Sequence, residues 1–231
     1  MHQLSPGLQY GLGTLTNDLS AAEGCLASAE FTLLPLLGVN RHIKRGWRTL
    51  PQTFGGVRLI DLPIEQFICR INIFQQHYAK PSSIGHKLSV SLHWLQLQIG
   101  TTGCPFTLDY NTWAHLSPLC WSKCFWETLD KYNVGLEMSY STLKMQREGD
   151  CTIMNFLLPH MPTKSIMLSV NRCRCYLNAL FLSDMTSLDG SSIIDDMVWG
   201  SRTPLQSRMR FPPEHPTKAD WSQWVVTWTA A

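Results

Sequence analysis

Two adjacent carboxylates, Asp195 and Asp196 in SIIDDMVWG, are the first residues in this chain whose type and spacing suggest chemistry. An aromatic-x-Asp-Asp hairpin can hold divalent metals for phosphoryl transfer. Here Ile193 and Ile194 precede the pair, the aromatic is missing, and no third carboxylate on a partner strand is identifiable upstream. A short match without its structural context does not make a site. The expectation is therefore that Asp195 caps a short turn of helix.

His115, Cys120 and Cys124 make an H-x4-C-x3-C string. The two thiols, four residues apart, share a helical face. Zinc takes four ligands, often from C-x2-C pairs, and the nearest further ligand is Cys104. Cysteine is also among the most often buried residue types. Zinc at these three residues is the candidate metal reading. The expectation adopted is no metal and no cofactor. Cys173 and Cys175 are two apart on a predicted helix and are expected as one core and one surface thiol.

A third group is basic: Arg41, Lys44, Arg45 and Arg48, with Arg58 beyond them. His42 and Trp47 interleave with it. Cations can neutralise phosphates, and rings can stack on bases or sugars. Short charge runs are usually solvated connectors. The residues alone leave both readings open. Arg202, Arg208 and Arg210 form a second, looser cluster, and Arg172 and Arg174 are expected to pair with acids in the fold. No Gly-rich phosphate loop, nucleophile elbow or H-E-x-x-H helix is present.

The elements that must carry these residues belong to a chain of 231 residues with nine Trp, nine Phe and six Tyr. That length and aromatic content suit a folded core. Net charge is +2, from 19 Lys and Arg against 17 Asp and Glu, so a nucleic-acid case must rest on local clustering. The eight Cys show no small disulfide framework. The first residues, MHQLSPGLQYGLGTL, lack a basic start and an unbroken apolar run, so no secretory signal is expected. No apolar stretch approaches the roughly 20 residues of a membrane span. The expectation is an intracellular chain with reduced thiols, nuclear or cytoplasmic, and no membrane partner.

The fold expectation is mainly α: a helical bundle-like architecture with a few short strands or hairpins. Residues 17–36 predict a helix that Gly38 ends. Phe54-Gly55-Gly56 predicts a turn, followed by a short extended piece at 57–60. Asp61 and Pro63 predict a helix start, with Ile64, Phe67, Ile68, Ile71 and Phe74 on its buried face. A helix over 83–99 stops at Gly100, a loop follows, and Ser117-Pro118 opens another helix striped by Trp121, Phe125, Leu129 and Tyr132. Residues 136–150 are mostly loop. Asp150 is expected to cap a short helix, and a longer one to run over 163–183. Leu188-Asp189-Gly190-Ser191 predicts a turn between short extended pieces. The last helix starts near Thr217, with Trp221, Trp224, Val225 and Trp228 on its docking side.

With these elements placed, an ordered set of strings acquires a resemblance. NRHIKR, FGGVRLIDL and the helix entry behind them are similar to the region just after the palm in reverse transcriptases of non-long-terminal-repeat retroelements. There G-G-L-G-L-x-D-L opens a thumb-like helical part; this chain has Val57 and Arg58 at the Leu and Gly of that pattern. SLHWLQLQIG, the Trp-rich helix at 121–132, QREGD, NRCRCYLNALFLSDMTSLDG and KADW follow in similar order. The set resembles the C-terminal halves of such reading frames in protists and algae. The resemblance implies a thumb-like region over 1–135 with a basic connector at 40–48. A second helical part is expected over 136–200; composition adds a Pro/Arg-rich linker over 201–216, and periodicity a docking helix over 217–231. The resemblance implies no enzyme activity in this chain, because the catalytic aspartates would lie upstream. It implies a grip on RNA or an RNA–DNA duplex through backbone contacts by Arg41, Lys44, Arg45, Arg48 and Arg58, weak when the chain is alone. An upstream polymerase palm would be a partner. A stand-alone protein-interaction module and a functionless relic are the alternatives.

Overall fold

Helix is the main secondary structure. In a computed structural model, residues 13–16, 19–59, 61–136, 138, 143, 145 and 147–231 are described. Asn17 and Asp18 at the expected helix start, Ile60 of the extended piece, Gln146 of QREGD and most of the N-terminal fifteen residues lie outside them. The first helices are α1 (Leu19–Leu36), α2 (Arg45–Thr49), α3 (Leu62–His77), α4 (Ser83–Ile99) and α5 (Tyr110–Trp113). They are followed by α6 (Trp121–Lys131), α7 (Ile153–Leu157), α8 (Lys164–Leu177), α9 (Asp195–Val198) and α10 (Lys218–Ala230). Extended pairing among the described residues consists of two isolated antiparallel bridges, Thr152 with Phe181 and Thr186 with Ile193. The second closes the expected turn, where Gly190 takes φ +73°. No helix among the described residues is long and apolar enough to cross a membrane.

The chain forms two units. One takes described residues of 1–88 and 119–128, the other those of 89–118 and 129–231.

In the first unit, α3 turns a face inward that its sequence does not advertise. Pro63, Gln66, Phe67, Arg70 and Phe74 are buried, whereas Ile64 and Ile68 stand 42% and 45% exposed. Two of the five expected apolar positions therefore lie outside. Arg70 takes an inward place: it is fully buried and donates to the carbonyls of Cys124 at 3.2 Å and Leu15 at 2.9 Å. Two backbone acceptors compensate a cation inside, and burial pushes its guanidinium below the ordinary value. Phe74 stacks on Tyr78 at 4.7 Å and packs on Phe125 at 5.2 Å. Trp121 is partly buried, and its indole N–H donates to Gly13 O at 2.7 Å.

Asp61 does sit at the N-cap of α3, but its side chain caps nothing. It accepts from Arg45 instead, at 3.3 Å. Ser117 likewise opens no helix. Its hydroxyl donates to Gln98 Oε1 at 2.6 Å within the second unit, and α6 starts four residues later at Trp121. Leu119, between them, is 58% exposed.

The second unit is organised around α8 and α10. The expected helix over 163–183 is shorter, because Asn178 adopts the left-handed conformation (φ +57°) and ends it. Leu180 and Phe181 remain buried beyond its end, where they pack with Leu97 and Phe211. Phe211 comes from the Pro- and Arg-rich segment, which runs without helix; Leu205 N donates to Leu177 O at 2.9 Å. Thr152, not Asp150, caps α7. Asp150 accepts from the Ser183 hydroxyl at 2.6 Å. Cys173 and Cys175 are both buried, so neither is a surface thiol, and burial pushes both thiols up.

Arg172 pairs with acids as expected, Asp220 at 3.7 Å and Glu214 at 4.0 Å. Arg174 does not. It is fully buried and donates to Leu97 O at 2.6 Å, Ala179 O at 3.2 Å and Asn171 Oδ1 at 2.7 Å. Leu97 belongs to the last turn of α4, whose carbonyls have no helical donor. The negative end of the α4 dipole thus faces the guanidinium. Gly100 makes room for it, since a Cβ there would lie 3.1 Å from Arg174 Nε and 2.4 Å from Met154 Cγ.

Thr217 and Asp220 form a capping box at the start of α10. Burial raises the Asp220 carboxyl, but the Ser169 hydroxyl, the Thr217 N–H and hydroxyl and Arg172 outweigh it, so the carboxyl titrates below its ordinary value. A depressed carboxylate stabilises the fold above its unfolded titration range, and that stability is lost as pH falls through the folded value. Asp220→Asn is therefore expected to cost about 1 kcal/mol at neutral pH. The gap from wild type should close below about pH 4. Urea melts across that range check it, and a gap that persists in acid would contradict the assignment. Behind the box, Trp224 and Trp228 are buried. Their rings continue a row from Tyr176 through Trp221 to Phe156, with centroids 5.7, 6.4, 5.5 and 5.9 Å apart.

Candidate nucleic-acid interface

The basic residues are positioned by a short fold-back in the first unit. Helix α2 is five residues long and ends at Leu50-Pro51; a single turn of tighter helix, Gln52–Phe54, reverses the chain. Gly55 caps that turn at φ +79°, a conformation that costs a side-chain-bearing residue strain. A Cβ on Gly56 would lie 2.0 Å from Leu50 O, so only glycine passes there. The returning strand of chain is then fixed to α2 by its backbone. Val57 N donates to Trp47 O at 3.0 Å, Arg58 N to Leu50 O at 3.0 Å and Leu59 N to Arg48 O at 2.7 Å. The Gly-Gly pair thereby seats Arg58 beside the basic helix.

The cations divide into two groups. Arg48 faces inward: it bonds the buried carboxylate of Glu30 and donates to Ile43 O at 2.9 Å and Arg41 O at 3.2 Å. Arg45 reaches Glu23 at 3.6 Å and Asp61 at 3.3 Å. Its side chain is half exposed, so those pairs add little stability. Arg41 lies over the Phe31 ring, 4.4 Å from its centroid. Lys44 and Arg58 are exposed and make no ion pair among the described residues. Beside them Trp47 is 49% exposed and Phe54 70% exposed, and His42 is exposed.

No protein-family model, curated protein or solved structure matches this chain.

Among the described residues, no group of three or more His, Cys, Asp or Glu could hold a metal ion. The H-x4-C-x3-C string does not gather. A ring nitrogen of His115 is engaged with Lys164 O at 3.1 Å, Cys120 is half-buried and Cys124 is fully buried. Asp195 opens α9 as its first residue, but Ile194 holds the cap position and no side chain caps it. Arg202, from the second basic cluster, lies over the Trp221 ring at 4.7 Å and donates to Val198 O at 3.3 Å.

The acids that engage the basic helix escaped the reading of sequence. Glu23 and Glu30 are seven residues apart, two helical turns, so they share a face of α1. That spacing, set against Arg45 and Arg48 three apart on α2, was the available signal. The turn signal Phe54-Gly55-Gly56 carries no information on the exposure of Phe54.

Proposed function

We propose that this chain is a non-catalytic, bundle-like helical segment of the post-palm type found in retroelement reverse transcriptases, contacting template–primer nucleic acid through the fold-back at 41–58. The supporting observation is the exposure of Lys44 and Arg58 on a backbone-locked turn, beside Trp47 and Phe54. Cations held on a rigid frame neutralise phosphates and release counterions, whatever the sequence they meet. Arg41 and Arg45 add partial charge at the rim, and Arg48 acts as the anchor that sets α2 on α1. The chain carries its role by positioning, and the resemblance assigns the metal-binding aspartates to a palm upstream.

The test uses Lys44→Ala with Arg58→Ala. Arg48 is left alone, because removing it would strand the buried Glu30 carboxylate. Titration of a labelled RNA–DNA duplex at several salt concentrations should show weaker binding, with a log–log salt slope shallower by about 2. Binding and slope equal to wild type would remove this surface.

A second reading, a protein-interaction module, has its own observation. Ile64 and Ile68 form an exposed stripe on α3, and Leu33, Leu36 and Leu37 are exposed at the end of α1. Apolar groups left outside while Arg70 and Gln66 are buried suit a covering partner, and an upstream palm would be one. A wild-type chain that binds no nucleic acid at low salt would leave this reading in front.

A further inference from the structure

Duplex grip alone does not account for what the fold-back exposes. Of its five cations, Arg48 is bonded inward, Arg45 is shared between two carboxylates and Arg41 is laid on Phe31. Lys44 and Arg58 remain. Two phosphate contacts give a salt slope of only about −1.8 on a duplex, a small electrostatic gain for a surface that reads shape. The larger investment is aromatic. Trp47 and Phe54 hold 49% and 70% of their surface in solvent; Trp199 is comparably open at 46%, whereas Trp113, Trp126, Trp224 and Trp228 are buried. The two rings of the fold-back are not there by slack. Trp47 lies in the middle of α2, and its carbonyl is bonded by Val57 N. A Cβ on Gly55 would meet the indole at 3.7 Å, so the ring rests against the turn. Phe54 is the last residue of the tight turn that Gly55 caps.

In a duplex the bases already stack on one another, and an outside ring has no face to meet. Unpaired bases do offer faces, and a ring on a fixed backbone loses little freedom in taking one. From this geometry we infer that the fold-back binds single-stranded nucleic acid, with Trp47 and Phe54 stacking on unpaired bases and Lys44 and Arg58 holding the flanking phosphates. This rests on the nucleic-acid reading above and names its substrate: an unpaired stretch of strand, such as template beyond a primer end. Stacking is indifferent to base identity, so the site takes any sequence.

The experiment compares the full chain on a labelled unpaired oligonucleotide and on a blunt RNA–DNA duplex of equal length, by fluorescence anisotropy at low salt. Single strand is expected to bind about tenfold or more tightly than duplex. Trp47→Ala and Phe54→Ala should each weaken the single strand about tenfold and the duplex far less, while Trp47→Phe keeps most of the affinity. Ultraviolet cross-linking in the wild-type chain should join a base to the segment 47–58, a readout independent of whether any variant folds. Duplex bound as well as single strand, with cross-links elsewhere, overturns this inference and leaves the nucleic-acid reading standing. Binding of neither probe overturns both.

Discussion

Arg174→Ala is expected to destabilise the chain by about 4 kcal/mol or more. Alanine leaves Leu97 O and Ala179 O without the donor they use. An orphaned buried carbonyl costs about 1–3 kcal/mol, and the vacated volume adds a cavity term. Gln98 O is spared, because Asn171 Nδ2 still donates to it at 2.8 Å. Arg174→Met separates the two causes. It refills the space but supplies no donor, so about half of the loss should remain. Lysine should do little better, since one ammonium cannot reach acceptors that the guanidinium fork spans. Urea unfolding of the three variants measures this. A loss under about 1 kcal/mol for alanine would mean that water or relaxation serves those carbonyls equally well.

Trp224→Ala carries the second large effect, about 3–5 kcal/mol. The side chain is fully buried, with edge-on contacts to Trp221 and Trp228 and an indole N–H donating to Met197 O at 3.3 Å. For a chain of this length that corresponds to a fall in Tm of about 10 °C. The site binds α10 to α8 and α9 at once, so it cannot collapse around a methyl group cheaply. Trp224→Phe should recover the larger part, lacking only the bond to Met197 and some volume. A thermal melt within about 2 °C of wild type for alanine would show that α10 contributes little to the fold.

Local signals were legible and distant ones were not. Helix α4 begins at Ser83 and ends at Ile99 as periodicity and Gly100 require, and Thr217 announces α10 through a box four residues long. Arg172 apart, which meets acids as expected, side chains with distant partners depart from their local signals. Asp61 was a good cap residue until Arg45, sixteen positions back, claimed it. Ile64 and Ile68 fit an apolar face, yet Arg70 went inside because carbonyls 54 and 55 positions away receive it. Arg174 was assigned an acid partner, and met the end of a helix 77 positions earlier. The candidate interface divides the same way. Its turn was written in Phe54-Gly55-Gly56, while the internal pairing of Arg45 and Arg48 depends on how α1 lies against α2.

The row of rings from Tyr176 to Phe156 has an optical consequence. Indoles this close in a fixed, edge-on geometry couple their transitions, and absorbed light passes among Trp221, Trp224 and Trp228 before it is emitted. Near-ultraviolet ellipticity from that row reports the seating of one helix on its neighbours, with no label attached. Trp47 stands about half in solvent, as Trp199 does, and so emits from a wetter surrounding than that row. The chain thus carries native reporters on both its core and its candidate interface.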